Sequence, residues 1–368
     1  MKTRYSLGLA VLFACSGLAA QAQIWIGQTA GFSGAVAAGV KETTDGAKLY
    51  FDRVNAKGGV AGQKIELISM DDKFDTQLAV ENARVLIEEK NVVALFLTRG
   101  TPHTEAIIPL LEKYRVPLVG PSSGAMVLHQ PVRKYVFNVR ATYQREAEKA
   151  IAQQVSSGFT KIALVYTDDS FGLDGLAGAQ KGLQTAKMAA SGEYKFDRSK
   201  PDFSKIAPAV VQSGAQTVLL VASGGATAEA IQALKAAGSN AQFVTLSNNA
   251  SAGFIASLGA NARGVIVSQV FPQSLSYGLV KECAELSRAK GLGDPSPAML
   301  EGFAAAKVLV EGLNRSGGKP TRERVQAALE GLGKFDLGGL ELGYSPTDHT
   351  GLDFADLAII GMDGKFKR

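Results

Sequence analysis

Two loops rich in glycine and hydroxyls, Thr98-Arg99-Gly100-Thr101 and Gly120-Pro121-Ser122-Ser123-Gly124, carry the residue types in this sequence best suited to gripping a small anion. Each follows a short, β-rich apolar run, Val92–Leu97 and Val116–Val119, and a helix running to about Tyr114 joins them. Thr101 reads as the helix N-cap and Pro102 as the first helical residue, where the missing N–H would be unpaired anyway. A strand–helix–strand unit places both loops at the carboxyl edge of a parallel sheet, where open α/β sheets bind ligands. The helix start adds free N–H groups and a positive dipole end. Gly100, Thr101, Ser122 and Ser123 are therefore expected to form half of a pocket for a small solute.

Catalytic arrangements do not emerge. His103, His129 and His349 show no metal-ligand spacing, and His103 is expected on the surface at its helix start. No nucleophile elbow or phosphate-binding Walker sequence is present. Asp71-Asp72 reads as a strand end that caps the following turn. Gly27, Gly31 and Gly34 are spaced wrongly for a dinucleotide fingerprint, and Asp71 lies about 40 residues on where roughly 20 is expected. No cofactor and no metal are expected.

The elements that position the two loops belong to a long α/β alternation. A first strand at Gln23–Thr29 leads through the Gly-rich loop Ala30–Gly34 to a helix ending at Gly58-Gly59. Strand Lys64–Met70 and a helix begun by Asp75-Thr76 follow. After Tyr135–Tyr143 the alternation starts again, with strands at Lys161–Tyr166, Thr217–Val221, Gln242–Leu246 and Gly264–Val270. Three helical segments (about 277–290, 297–315 and 321–329) and two late strands near 340–344 and 354–360 close the chain. Such spacing means parallel sheets with right-handed crossovers in two similar lobes. A chain of 368 residues that is 46% hydrophobic buries enough for two domains.

Lys2 and Arg4, the apolar stretch around Leu7–Leu12 and Ala20-Gln21-Ala22 read as a cleavable leader over residues 1–22. Its removal lowers the net charge from +5 to +3. No basic stripe with interleaved aromatics appears, so nucleic acid is not an expected partner. Cys283 alone would remain, which excludes an internal disulfide framework and suits a buried thiol. No other window approaches membrane-spanning length, so the mature chain is expected to be soluble.

Several stretches taken together resemble one family. They are IGQTAGFSG at the first strand and loop, Asn55-Ala56-Lys57-Gly58-Gly59-Val60-Ala61-Gly62, Asp71-Asp72, Tyr135–Arg140, Asp168-Asp169-Ser170-Phe171-Gly172 and Lys200–Ile206. The chain is similar along nearly its whole mature length to periplasmic substrate-binding proteins of ABC transporters, of the leucine/isoleucine/valine-binding type. The resemblance implies a type I periplasmic binding fold: two doubly wound parallel-sheet lobes joined by three hinge crossings. Placing the crossings by pattern gives lobe one as residues 23–141 and 271–340, and lobe two as 142–270 and 341–368.

The resemblance also implies a periplasmic, non-enzymatic, monomeric receptor that closes on one solute and delivers it to an inner-membrane permease. A sensory receptor for chemotaxis or signalling and a secreted α/β enzyme are the alternatives. The solute carboxylate is expected on Gly100-Thr101 and Ser122-Ser123, with Phe171 as a pocket aromatic and Phe32 and Gln269 lining the cleft. Amino-acid-binding relatives carry an acid where this chain reads Ser247-Asn248-Asn249. Either Asp168 or Asp169 replaces it, or the ligand is a carboxylate, aromatic acid or amide-like solute without an α-ammonium; the second is favoured.

Overall fold

The structure, a computed structural model, describes residues 23–367. The expected leader, residues 1–22, lies outside the described residues. Five parallel strands form the first sheet in the order β2-β1-β3-β4-β5. They are β1 (Gln23–Ala30), β2 (Lys64–Asp71), β3 (Ala94–Phe96), β4 (Leu118–Val119) and β5 (Val136–Phe137). The second sheet holds β6 (Ile162–Thr167), β7 (Gly192–Phe196), β8 (Thr217–Val221), β9 (Gln242–Thr245) and β10 (Ile266–Gln269). These five are parallel in the order β7-β6-β8-β9-β10. Both lobes thus repeat the doubly wound order 2-1-3-4-5, whose crevice lies at the carboxyl ends where strand order reverses.

Between these strands run α1 (Ala37–Ala56), α2 (Thr76–Glu88), α3 (Thr101–Tyr114), α4 (Tyr143–Ser156), α5 (Ser170–Thr185), α6 (Ile206–Gln212), α7 (Gly225–Ala236) and α8 (Ala252–Leu258). Then come α9 (Gly278–Ala289), α10 (Pro297–Arg315) and α11 (Arg322–Glu330). Each sheet is covered on both faces, which is why its strands read as continuous apolar runs. Close helix contact uses small residues: a Cβ on Gly302 of α10 would lie 1.7 Å from the Thr43 carbonyl of α1. No helix among the described residues is long and apolar enough to cross a membrane.

Polar caps set several helix starts, at Asp75 as the sequence suggests. Asp75 accepts from the Leu78 N–H and Asp169 from those of Phe171 and Gly172. Thr101 departs from expectation: Gly100 is the N-cap of α3, with φ 94°, and Thr101 is already helical.

The chain passes between lobes after β5, after β10 and after a hairpin of β11 (Gly333–Asp336) and β12 (Glu341–Tyr344). Two crossings are tied together, with Asn138 donating from its N–H to the His349 carbonyl at 3.0 Å and Leu352 to Val139 at 3.1 Å. Residues 341–352 were expected in lobe two. Leu342, Tyr344 and Leu352 instead sit in the first lobe's core, because β12 pairs with β11. β13 (Asp356–Ile360) then adds to β10 antiparallel, and β14 (Phe366–Lys367) adds to β13.

Candidate functional site

The reversal points of the two sheets face each other. From the first lobe come the loop after β1, the loop Leu97–Gly100 after β3 and Gly120–Ser123 after β4. From the second come Thr167–Asp169 after β6, Ala222–Gly224 after β8 and the turn at Ser247–Asn249 after β9. The lobes touch here. A Cβ on Gly224, whose φ is 50°, would lie 1.9 Å from the Ala35 carbonyl, and one on Gly253 would lie 2.3 Å from Ala38 Cβ. Glu42 of α1 accepts from the N–H groups of Ala252 (3.0 Å) and Gly253 (2.8 Å) at the start of α8.

On the first-lobe side the expected residues come together. Thr101 Oγ1 and Ser123 Oγ share a hydrogen bond of 2.8 Å, and both residues are buried. The Ser122 hydroxyl accepts from Arg99 Nη1 at 3.0 Å. Pro102 has no N–H and Thr104 gives its own to the Gly100 carbonyl, so the N–H groups of Thr101 and His103 are left for an acceptor at the positive end of α3. Gly100 is required: a Cβ there would meet His103 Nδ1 at 2.7 Å and Phe74 Cε2 at 2.9 Å. His103 is not on the surface. It is buried and stacked on Phe74 with centroids 4.4 Å apart, and burial holds its pKa below the ordinary value. It fills the space beneath Phe74 because its helix start is buried against the opposite lobe.

The second-lobe side is more tightly wired. Arg140, Tyr143 and Glu146 are fully buried; Tyr143 and Glu146 lie one turn apart at the start of α4, and Arg140 precedes its N-cap, Thr142. The Arg140 guanidinium donates to Glu146 and, at 2.6 Å, to the Ser247 hydroxyl; it also lies 4.6 Å from the Tyr143 ring centroid. Burial opposes the charge on Arg140, but Glu146 beside it holds its pKa above the ordinary value. Glu146 also accepts from the Ser247 N–H at 2.9 Å and from the Ser268 hydroxyl. Ser247 is therefore committed to this network. Asn249 is spent too: it binds Ala222, Thr227 and Thr245 through its amide nitrogen and the Gly224 N–H through its oxygen.

Phe171 sits at the first turn of α5, edge-on to Tyr143 at 4.8 Å. Arg198 lies between the lobes, 5.2 Å from the Phe74 centroid and 5.7 Å from that of Phe171. Its partner is Asp169, whose carboxyl is held below the usual range by that guanidinium and by α5 N–H groups, against the effect of burial. A chamber of about 180 Å³ opens beside them, lined by Phe74, Arg198, Ser223 and Glu229 among others. A larger groove of about 580 Å³ lies between α8, α9 and the β13–β14 turn; Gln273 and Leu275 of the loop after β10 line it, but no residue at the start of α3 does.

Phe32 is half-buried and packs with Phe74 against Val36 and Val40 near the cleft mouth. Gln269 is not joined to this group; its amide turns back to the Val267 carbonyl in its own strand. Sequence reasoning missed Arg99, Arg140, Tyr143, Glu146, Arg198 and Phe74. The available signal was partial: Tyr143 and Glu146 share a helix face by their spacing, whereas Arg140 lies in the segment before the Thr142 cap. No cluster of metal-ligating side chains exists among the described residues.

This geometry agrees with comparison to known proteins. The sequence pattern of the periplasmic binding protein family matches residues 23–360. A substrate-binding periplasmic protein of Ralstonia solanacearum has a structure similar to this chain with a TM-score of 0.85 and 30% identity, over 94% of this chain and 99% of that one. A possible leucine/isoleucine/valine-binding protein of Rhodopirellula baltica SH 1 superposes with a TM-score of 0.86 and 25% identity, over 95% and 97% of the two chains. Leu/Ile/Val-binding protein homolog 7 of Brucella suis is 26% identical over 227 residues, 59% of this chain and 56% of that protein. The chain thus spans about half the length of the curated relatives it matches. With its family pattern, two-lobed fold and facing strand-end loops in agreement, this chain belongs to the periplasmic binding protein family, of the Leu/Ile/Val-binding type.

Proposed function

We propose that this protein is an extracytoplasmic receptor of an ABC uptake system: it captures one small carboxylate-bearing solute by closing its lobes and delivers it to a permease. The observation that carries this reading is the pair of sheets with the same strand order whose carboxyl edges face each other across one cleft. In this reading the solute carboxylate lies at the start of α3, held by the N–H groups of Thr101 and His103 and the hydroxyls of Thr101, Ser122 and Ser123. Phe171 and Tyr143 flank its apolar part. Closure follows because a bound solute touches both lobes, and the closed form gains contacts the open form lacks.

The residues of the cleft support binding in place of turnover. Tyr143 is held in its protonated form by burial, His103 is held neutral by burial, and Glu146 is locked between Arg140, Ser247 and Ser268. None of them pairs as nucleophile and base. The reading includes export through the leader at residues 1–22 and a periplasmic location.

A thermal-shift screen of amino acids, aromatic acids, aliphatic acids and purines tests it. A true solute at 100 times its dissociation constant adds about 2.7 kcal/mol. A clear rise in Tm for one carboxylate class is expected; no shift with any carboxylate would overturn the reading.

A further inference from the structure

We propose that the cleft selects organic carboxylates whose other polar groups are neutral, such as hydroxyls or amides, and that Arg99 sets this selectivity by occupying the place an ammonium would need. The proposal rests on the receptor reading above and names its substrate class.

Arg99 is almost completely buried and reaches across the cleft from the loop after β3. Its guanidinium donates to two neutral oxygens, the Ser122 hydroxyl at 3.0 Å and the Asn248 carbonyl of the opposite lobe at 2.6 Å. Among the described residues no carboxylate lies within ion-pair distance of it, whereas Arg140 has Glu146 and Glu301 and Arg198 has Asp169. A buried cation satisfied only by neutral groups retains a large unmet electrostatic demand. An incoming carboxylate at the adjacent Thr101–Ser123 pair answers that demand.

Four of the acids around the cleft are already taken. Glu146 serves Arg140, Ser247 and Ser268. Asp169 serves Arg198 and the start of α5. Glu42 serves the start of α8, and Asp72 accepts from Thr29 and from the Phe74 N–H. Glu301 faces Arg140 at 3.8 Å and keeps one oxygen without a partner, and Glu229 lines the chamber beside Arg198, so these two acids are the competitors for an ammonium.

The acceptor that the loop after β9 does offer is neutral. Asn248 spends its amide nitrogen on the Ala222 carbonyl and the Ser223 hydroxyl, which fixes its orientation, and its Oδ1 is buried without a partner. One hydroxyl or amide N–H satisfies it. An ammonium there would lie near the Arg99 guanidinium, with like charges facing each other in a closed cleft.

Titration calorimetry on the full chain with matched triples tests this. One triple is leucine, 2-hydroxy-4-methylpentanoate and 4-methylpentanoate; another is phenylalanine, 3-phenyllactate and 3-phenylpropanoate. In the triple that binds, both acids without an ammonium should bind at least tenfold tighter than the amino acid. Arg99→Met should weaken those acids at least tenfold, and Arg99→Lys should retain most of the affinity. Tighter binding of the amino acid would overturn the proposal while leaving the receptor reading intact; its loss in Glu301→Gln would then place the ammonium at Glu301. Unchanged acid affinity in Arg99→Met would overturn the role of Arg99. Binding of no member of either triple, nor of any carboxylate in the thermal-shift screen, would overturn both readings. The wild-type comparison stands even if Arg99→Met fails to fold.

Discussion

The loops after β3 and β4 and the turn after β9 meet across the cleft, and they handle polarity in opposite ways. At Arg99–Thr101 and Ser122–Ser123 the backbone leaves N–H groups and a guanidinium without anionic partners. At Ser247–Asn249 nearly every polar atom is consumed internally, by Arg140, Glu146, Ala222 and Thr227. One face carries unmet demand for an anion. The other is a wall whose polar atoms are nearly all paired within the second lobe.

Removing one member of the wall's buried pair should have the largest effect. Arg140→Ala leaves Glu146 buried without its counter-charge, and such a change destabilises by about 3–5 kcal/mol. Chemical denaturation should show this loss, and replacing both residues by Met and Leu should recover much of it. A loss below 1 kcal/mol for the single variant would show that the wall does not depend on the pair.

His129 provides a pH-dependent contrast within the first lobe. Burial, reinforced by Arg140, pulls its pKa down from 6.5 to about 4. The unfolded chain therefore takes up a proton that the folded chain refuses, and stability falls as pH drops from about 6.5 to 4. At 1.36 kcal/mol per unit the full effect is about 3 kcal/mol. Burial raises Asp72 and Asp174 to about 6, which works in the opposite direction, so the contribution is read as a difference between wild type and His129→Leu. That difference should widen in favour of the variant as pH falls; parallel curves would exclude the mechanism.

Closure can be separated from lobe stability at Gly253. A methyl there would clash with Ala38 across the cleft, and Gly253 is an ordinary helical position without positive φ. Gly253→Ala should weaken solute binding about tenfold, roughly 1.4 kcal/mol, with little change in the Tm of the solute-free protein. Equal affinity would mean that the lobes bind without meeting at this point. Effects of similar size belong to the open face. Thr101→Ala and Ser123→Ala should each weaken binding by about 1–2 kcal/mol, as expected for hydrogen bonds to a charged group. Because the two hydroxyls bond to each other, their effects should be non-additive in calorimetry.

The sequence made the local features of this contrast legible and left the distant ones hidden. Alternating apolar runs, Asp75 as a helix start, and the Gly58–Gly62 turn follow from nearby residues and gave both α/β lobes. The hydroxyl loops were found because they end strands. Arg99 was passed over because its acceptor, the Asn248 carbonyl, lies 149 residues away. Arg140 and Glu146 are only six apart, yet their burial depends on β9 and β10 arriving from elsewhere. Strand β12 was misplaced for the same reason: the core it joins is assembled by α1, α9 and α10.

Small-angle X-ray scattering with and without the carboxylate that raises Tm most tests the capture of a solute between two closing lobes most directly. The radius of gyration of the wild type should fall in the presence of that solute, and the change should be reduced for Gly253→Ala. An identical profile with and without saturating solute would contradict capture by closure.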